Sequence, residues 1–181
     1  SIIKKQKAMP YHLFYCGDGT LESDDGFSRQ VDLVSKTLFE NGWKVSHYTS
    51  RESRDARRQI LDNFRIGLID GLVAIRCLDE GVDLPACRVA YILASSRNPK
   101  QFIQRRGRIL RRAPNKEHAV IHDFIVRIDD SIDASTSVSR QLLVNELLRI
   151  SEFGQLAENR GEVYEQIKDV LERYDLQHHF C

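Results

Sequence analysis

"LIDGLVAIRCLDEGVDLPACRVAYILA" spans residues 68–94 and places an apolar run on each side of a polar loop. The two runs, 68–75 and 88–94, predict neighbouring strands of a buried sheet. The loop between them, DEGVDLP (79–85), carries Gly81, which allows a backbone conformation or a close approach that a side chain would block. An acidic turn without a ligand is the alternative interpretation of this loop.

Outward from this stretch, apolar runs and helical spacings alternate along the chain. Further strands are predicted at HLFYC (12–16), WKVSHY (43–48) and HAVIHDFIV (118–126), and helices over 31–39, which Gly42 ends, and over 51–65. ESDDGFS (22–28) predicts a loop, and Gly71 predicts a possible break in its strand. Strands alternating with helices indicate an α/β fold, a parallel sheet with helices on both faces.

The character of the sequence changes after Val126, so we expect one domain over 1–126 and a second region over 127–181. This region begins with a polar connection, 127–139, and continues with two helical patterns, one marked by Leu143, Leu147 and Ile150 and the other by Val163, Ile167, Val170 and Tyr174. The two helices are expected to pack on the sheet or on each other. A stub that leads to a further domain is the alternative.

The composition is that of an ordinary globular protein, with 181 residues, 41% hydrophobic residues and a net charge of +1. No stretch approaches the ~20 apolar residues of a membrane span, so no membrane partner is expected. The four cysteines form no CxxC pair, which disfavours a zinc site or a disulfide framework, and no metal ligands are assigned. Scattered cysteines suit a reduced compartment and predict a cytoplasmic protein, nucleoid-associated if bacterial.

The stretch QFIQRRGRILRR, residues 101–112 and hereafter the arginine segment, holds five arginines and no acidic residue. Asn98 and Pro99 are typical of a helix start just before it. At about 100° per residue, Gln104, Arg108 and Arg111 share one narrow face, and apolar residues lie on the opposite half. A helix face in solvent is one interpretation. Arginine also suits phosphate, because its planar fork donates paired hydrogen bonds, and an anion site is the interpretation that we favour.

The acidic loop and the arginine segment are expected to meet. Ligands of an open parallel sheet bind beyond the carboxyl ends of its strands, and both motifs follow such ends. Asp83 is suited to accept hydrogen bonds from sugar hydroxyls, and the arginines to hold phosphate. Together they predict a nucleotide site.

These motifs resemble those of the second RecA-like domain of superfamily 2 helicases of the DEAD/DEAH type, on the branch with XPB-like and UvrB-like proteins and restriction-enzyme motors. QRRGRILR (104–111) is similar to the family's motif VI, and EGVDLP (80–85) to its motif V. A looser similarity covers 47–67, and HLFYC is similar to the strand of motif IV, so the resemblance covers about residues 10–126. It implies a three-layer, RecA-like sandwich with appended C-terminal helices.

The resemblance also implies roles. It makes Arg108 and Arg111 arginine fingers for the ATP γ-phosphate, places Gln104 at the same interface, and assigns the ribose loop to Glu80, Gly81 and Asp83. It assigns the nucleic-acid backbone to strand-end loops, here Gly17, Asp18, Gly19, Thr20, Thr49, Ser50 and Arg76, although Arg76 departs from the residue types usual there. DNA is favoured over RNA as the partner.

The sequence has no GxxxxGK[ST] loop and no DEAD-like acidic strand end, the groups that hold phosphates and Mg²⁺ in such motors. We therefore expect a half of a two-domain ATP-dependent motor that is inactive alone, with Mg²⁺ held mainly by a first RecA-like domain of the same chain. A non-catalytic nucleic-acid-binding module is the alternative. A degenerate relative that keeps only protein contacts is a third hypothesis.

Overall fold

The computed structural model describes residues 10–23, 26–75, 84, 86–93, 107, 109, 111–124, 137–175 and 177–179. These residues fall into two compact units: a first unit within residues 10–93 and 107–124, and a second unit within residues 137–179. Each unit is described by itself.

The first unit contains a five-stranded sheet in the order β4-β5-β1-β6-β7, and all its strand pairs are parallel. The strands of the chain are β1 (His12–Cys16), β2 (Thr20–Ser23), β3 (Gly26–Arg29), β4 (Val45–Tyr48), β5 (Gly71–Ile75), β6 (Val89–Ile92) and β7 (Val120–Asp123). Every residue of the central strands β1, β5 and β6 is buried, as expected for strands covered on both faces.

Helices cover both faces of the sheet. Helix α1 (Gln30–Glu40) contributes Val31 and Leu38 to the buried cluster on one face, together with Trp43 just beyond it. Helix α2 (Arg54–Arg65) contributes Phe64 to the cluster on the other face. The prediction of a parallel sheet between two helical layers is therefore confirmed.

Local chemistry explains where these helices begin and end. Gly42 follows α1 with a φ of 77°, the left-handed conformation that glycine adopts without a steric penalty, so the predicted helix end is confirmed. Helix α2 begins after Ser53, whose hydroxyl accepts a hydrogen bond from the Ala56 amide at 3.2 Å.

Two predictions about the first unit are wrong. Residues 22–28, predicted as a loop, belong mostly to β2 and β3, which form an antiparallel hairpin that is separate from the main sheet. Strands of only four residues on either side of an Asp-Asp sequence show too little periodicity to be distinguished from a loop. Gly71 does not break its strand but begins β5. A Cβ there would lie 3.1 Å from the His12 carbonyl oxygen, so glycine allows β1 and β5 to approach closely.

The second unit contains two helices, α3 (Ser137–Gly154) and α4 (Arg160–Arg173), followed by a short 3₁₀ turn, Gln177–His179. Leu143, Leu147 and Ile150 of α3 are buried in one cluster with Ile167 and Leu171 of α4. Both predicted helices and their packing on each other are confirmed. The predicted connection over 127–139 is too long at its end, because α3 already begins at Ser137.

Candidate functional site

The carboxyl ends of β1, β4 and β5 form one edge of the sheet, hereafter the carboxyl edge. Cys16 pairs with Ile75 at the end of β5, and Tyr48 pairs with Ala74 one residue earlier. Since β5 lies between β1 and β4, and neighbouring strands are about 4.8 Å apart, the ends of β1 and β4 are about 10 Å apart. The loops that begin at Gly17 and Thr49, both predicted to contact nucleic acid, therefore leave the same edge of the sheet on either side of β5.

The loop after β1 is held by Gln30, the first residue of α1. The Gly17 amide donates a 2.6 Å hydrogen bond to Gln30 Oε1, and Gln30 Nε2 donates a 3.2 Å bond to the carbonyl of Leu93 just beyond β6. Gln30 is not among the residues predicted from the sequence, because a glutamine in a first helical turn gives no signal of this role. Because Gln30 occupies the Gly17 amide, phosphate contacts in this loop must come from other donors.

The rest of this loop is exposed and partly acidic. Asp18, Gly19 and Thr20 are all exposed, and Thr20 is already the first residue of β2. The Asp18 carboxylate lies 3.9 Å from the Arg29 guanidinium, and the Gly19 carbonyl accepts a 3.2 Å bond from the Gln30 amide. The Thr20 hydroxyl and the backbone amides suit phosphate, whereas the Asp18 carboxylate repels it.

The loop after β4 is held by Glu52. The buried Thr49 donates its amide to Glu52 Oε2 at 2.5 Å, and the Arg51 amide donates to Thr49 Oγ1 at 3.1 Å. Burial raises the pKa of Glu52, but hydrogen bonds from the side chain and the amide of Thr49 outweigh it, so this pKa lies below its usual value. Glu52 therefore stays ionised at neutral pH and fixes Thr49, while Ser50 is exposed.

Three exposed arginines follow Thr49 and Ser50. Arg51 lies in the turn before α2, and Arg54 and Arg58, four residues apart, share one face of that helix. None of the three side chains makes an ion pair or hydrogen bond with another residue that the structure describes. The sequence predicts a helix over 51–65, but no function was predicted for its arginines. Their spacing, with the strand end just before them, is the signal that marks a basic surface.

The arginine segment is anchored by Ile109. Gly107 and Ile109 are helical, and Ile109 is fully buried in the same cluster as Leu84 of the acidic loop. Leu84 and Ile109 therefore lie on the same sheet face, and the predicted meeting of the two motifs remains a prediction. Arg111 and Arg112 are exposed but not helical, which corrects the prediction that Arg111 continues the helix. Pro114 disfavours helical backbone at the residue before it, and a turn begins at Ala113.

Six of the predicted site residues lie outside the described residues, so their predicted roles remain predictions: Arg76, Glu80, Gly81, Asp83, Gln104 and Arg108. The described members are Gly17, Asp18, Gly19, Thr20, Thr49, Ser50 and Arg111.

Other reactive groups of the first unit are buried or packed. Burial raises the pKa of the Cys16 and Cys87 thiols to about 12, so both are protonated at neutral pH. His122 stacks on Tyr91 with 4.9 Å between ring centroids, and burial lowers its pKa. Within the described ranges, no cluster of three potential metal ligands occurs, and no helix is long and apolar enough to cross a membrane.

Comparison with known sequences gives matches along the first unit. Residues 26–113 match the family described as the helicase conserved C-terminal domain. Over 89 residues the chain is 41% identical to DNA 3'-5' translocase XPB2 of Sulfurisphaera tokodaii, which covers 48% of this chain and 19% of that protein. Over 98 residues it is 33% identical to Dicer-like protein 2 of Pyricularia oryzae, which covers 54% of this chain and 6% of that protein. The chain thus spans less than a fifth of the length of these relatives.

Comparison with solved structures gives a likeness in fold. The chain resembles S. cerevisiae Dbp5 bound to RNA and ADP BeF3, with a TM-score of 0.56 and 16% identity over 93% of this chain and 40% of that one. It also resembles the C-terminal part of the Fun30 ATPase domain, with a TM-score of 0.53 and 14% identity over 85% of this chain and 53% of that one.

Proposed function

Because residues 26–113 match the helicase conserved C-terminal domain, we propose that the chain is the second, RecA-like motor half of an ATP-dependent superfamily 2 translocase or helicase that acts on nucleic acid. The predicted RecA-like fold, a parallel sheet between two helical layers, is confirmed by the sheet topology and by the likeness to the two solved structures. The activity of the longer protein, its nucleotide and its nucleic acid are part of the proposal.

One observation carries this proposal: Leu84 of the acidic loop and Ile109 of the arginine segment are buried in the same cluster. Leu84 lies next to Asp83 in sequence and Ile109 next to Arg108, and their shared cluster supports the proposal that the two motifs serve one nucleotide. In this proposal Arg108 and the exposed Arg111 contact the γ-phosphate, and Gln104 lies beside them. Glu80, Gly81 and Asp83 form the ribose loop.

ATP bound between this domain and a first RecA-like domain would supply the phosphoanhydride energy, with Mg²⁺ held mainly by that first domain. The residues of this chain neutralise phosphate charge and thereby link nucleotide binding to domain closure. The carboxyl edge supplies the nucleic-acid track through Gly19, Thr20, Ser50 and Arg76, with Arg51, Arg54 and Arg58 beside it. Phosphate contacts carry little sequence information, so weak sequence preference is expected.

The decisive experiment measures nucleic-acid-stimulated ATP hydrolysis by the longer protein. Arg108→Ala should lower kcat by about 10³-fold or more, since an arginine finger contributes on that order, and nucleic-acid binding should be retained. Arg160→Ala removes an exposed arginine of the second unit and is the matched control. Near-normal turnover by Arg108→Ala would refute the finger assignment.

The exposed arginines of α2 favour one second candidate, a nucleic-acid-binding module with no role in ATP hydrolysis. That candidate predicts strong, salt-sensitive binding by this chain alone and no effect of Arg108→Ala on any ATPase. DNA is proposed as the partner because the relative with 41% identity is named a DNA translocase. Greater stimulation of the ATPase by RNA than by DNA would contradict this choice of partner.

A further inference from the structure

Lys116 binds the end of the arginine segment. Its Nζ donates hydrogen bonds to the carbonyl oxygens of Ile109 at 2.5 Å and of Arg111 at 2.9 Å. Carbonyls at a helix end lack intrahelical partners, and a positive charge placed there also interacts favourably with the helix dipole. One lysine therefore satisfies the two backbone carbonyls on either side of Leu110.

A tight turn places Lys116 opposite these carbonyls. The Lys116 amide donates to the Ala113 carbonyl at 3.2 Å, and Asn115 has a φ of 57°, a left-handed conformation that asparagine tolerates. Pro114 fixes its own φ at the second position of this turn. The four residues from Ala113 therefore return the chain so that the lysine at its end reaches back to the arginine segment.

The charge of Lys116 also reaches the acidic-loop side of the sheet. Burial raises the pKa of Cys87 to about 12, and the nearby Lys116 ammonium opposes that rise. Cys87 lies three residues after Leu84 and belongs to the same buried cluster as Ile109. Lys116 thus acts near Cys87, which is buried in the same cluster as Ile109 of the arginine segment.

We propose that Lys116 is a positioning residue that holds the backbone of residues 109–111 so that the arginine side chains reach the nucleotide phosphate. This inference rests on the proposed function. Fixing two carbonyls restrains the backbone next to Arg108 and at Arg111. Misplacing a catalytic group by about 1 Å costs on the order of 10²-fold in rate, so even a modest movement here has a measurable effect.

The test uses the longer protein with Lys116→Met, which keeps the length of the side chain but removes its donors and charge. We expect kcat of the nucleic-acid-stimulated ATPase to fall about 10- to 100-fold with a change in KM for ATP of less than about threefold. Lys116→Arg, which retains donors and charge, should recover most of the rate. Lys44→Met is the matched control, because Lys44 is exposed and its side chain has no partner among the described residues.

A double mutant separates positioning from a merely structural role. If Lys116 acts through the arginines, Lys116→Met should cost clearly less in an Arg108→Ala background than in the unsubstituted protein, because only Arg111 is left to be misplaced. A full additional loss there, an unchanged kcat in Lys116→Met, or a fall in kcat fully explained by a lower thermal midpoint would overturn the inference. If Arg108→Ala itself has no effect, the proposed function fails. If only Lys116→Met has none, this inference alone fails.

Discussion

The loops after β1 and β4 leave the same edge of the sheet about 10 Å apart, and their surroundings carry opposite charge. Exposed acidic side chains, Asp18 and Glu22, accompany the first loop and the hairpin that follows it. Exposed arginines, Arg51, Arg54 and Arg58, follow the second loop. In both loops, a side chain of the protein already binds the first backbone amide. Under the proposed function, we therefore expect the phosphate chain to cross the carboxyl edge mainly on the β4 side.

The largest expected effect comes from removing the three exposed arginines that follow the β4 loop. Replacing Arg51, Arg54 and Arg58 together by alanine should weaken binding of double-stranded DNA by about 10- to 100-fold. It should also reduce the slope of log affinity against log salt by about 2.7, since each lost phosphate contact contributes about 0.9. Binding titrations across salt concentrations, with the longer protein, measure both quantities.

The matched control for this triple variant replaces Lys44, Arg65 and Arg160 by alanine, which removes the same charge elsewhere on the exposed surface. Equal weakening by the two triple variants would mean that only net charge matters. The contrast between the β1 and β4 sides would then have no meaning for binding.

The second effect concerns Gln30, which links the ends of β1 and β6. Gln30→Ala removes the partners of the Gly17 amide and the Leu93 carbonyl, so the free energy of unfolding should fall by about 1–2 kcal/mol. Denaturant unfolding of the chain measures this loss. Gln59→Ala, at an exposed position of α2, should change stability by much less, and a loss as large there would contradict the assigned role of Gln30.

The sequence predicted the fold better than the site, and particular residues show why. Strands and helices follow from local apolar patterns, and β1, α1 and α2 were predicted within a few residues of their observed bounds. Gln30 forms hydrogen bonds with Gly17 and with Leu93, which is 63 positions away from Gln30 in the chain. Lys116 donates hydrogen bonds to the carbonyls of Ile109 and Arg111. Such partners have no sequence periodicity, because the tertiary fold alone brings them together.

The third effect is a pH dependence of the free energy of unfolding, caused by Glu52 in the loop after β4. The folded pKa of Glu52 is lowered, so its carboxylate stabilises the fold above the unfolded value of about 4.3, and this contribution disappears as pH falls through the folded pKa. Glu52→Gln should therefore cost well under about 1 kcal/mol at pH 7, since solvent screens a partly exposed carboxylate, and the cost should shrink as pH falls below the unfolded value.

Unfolding free energies of Glu52→Gln and of the unsubstituted chain, measured from pH 7 to pH 3, test this expectation. Glu40→Gln is the control, because Glu40 is exposed and its side chain has no hydrogen bond with any other described residue. If the loss of unfolding free energy in Glu52→Gln stays constant with pH, the carboxylate charge does not hold Thr49.

The smallest effect comes from Asp18, the exposed acidic residue in the loop after β1. Asp18→Asn keeps the backbone amide that is predicted to contact phosphate but removes an exposed negative charge at the carboxyl edge. Single exposed charges contribute little, so nucleic-acid affinity should rise only about twofold, and the gain should disappear at high salt. Binding titrations at low and high salt measure the change. A loss of affinity would instead mean that the phosphate chain contacts the β1 loop rather than mainly the β4 side. The acidic residues beside β1 would then not mark the border of the track.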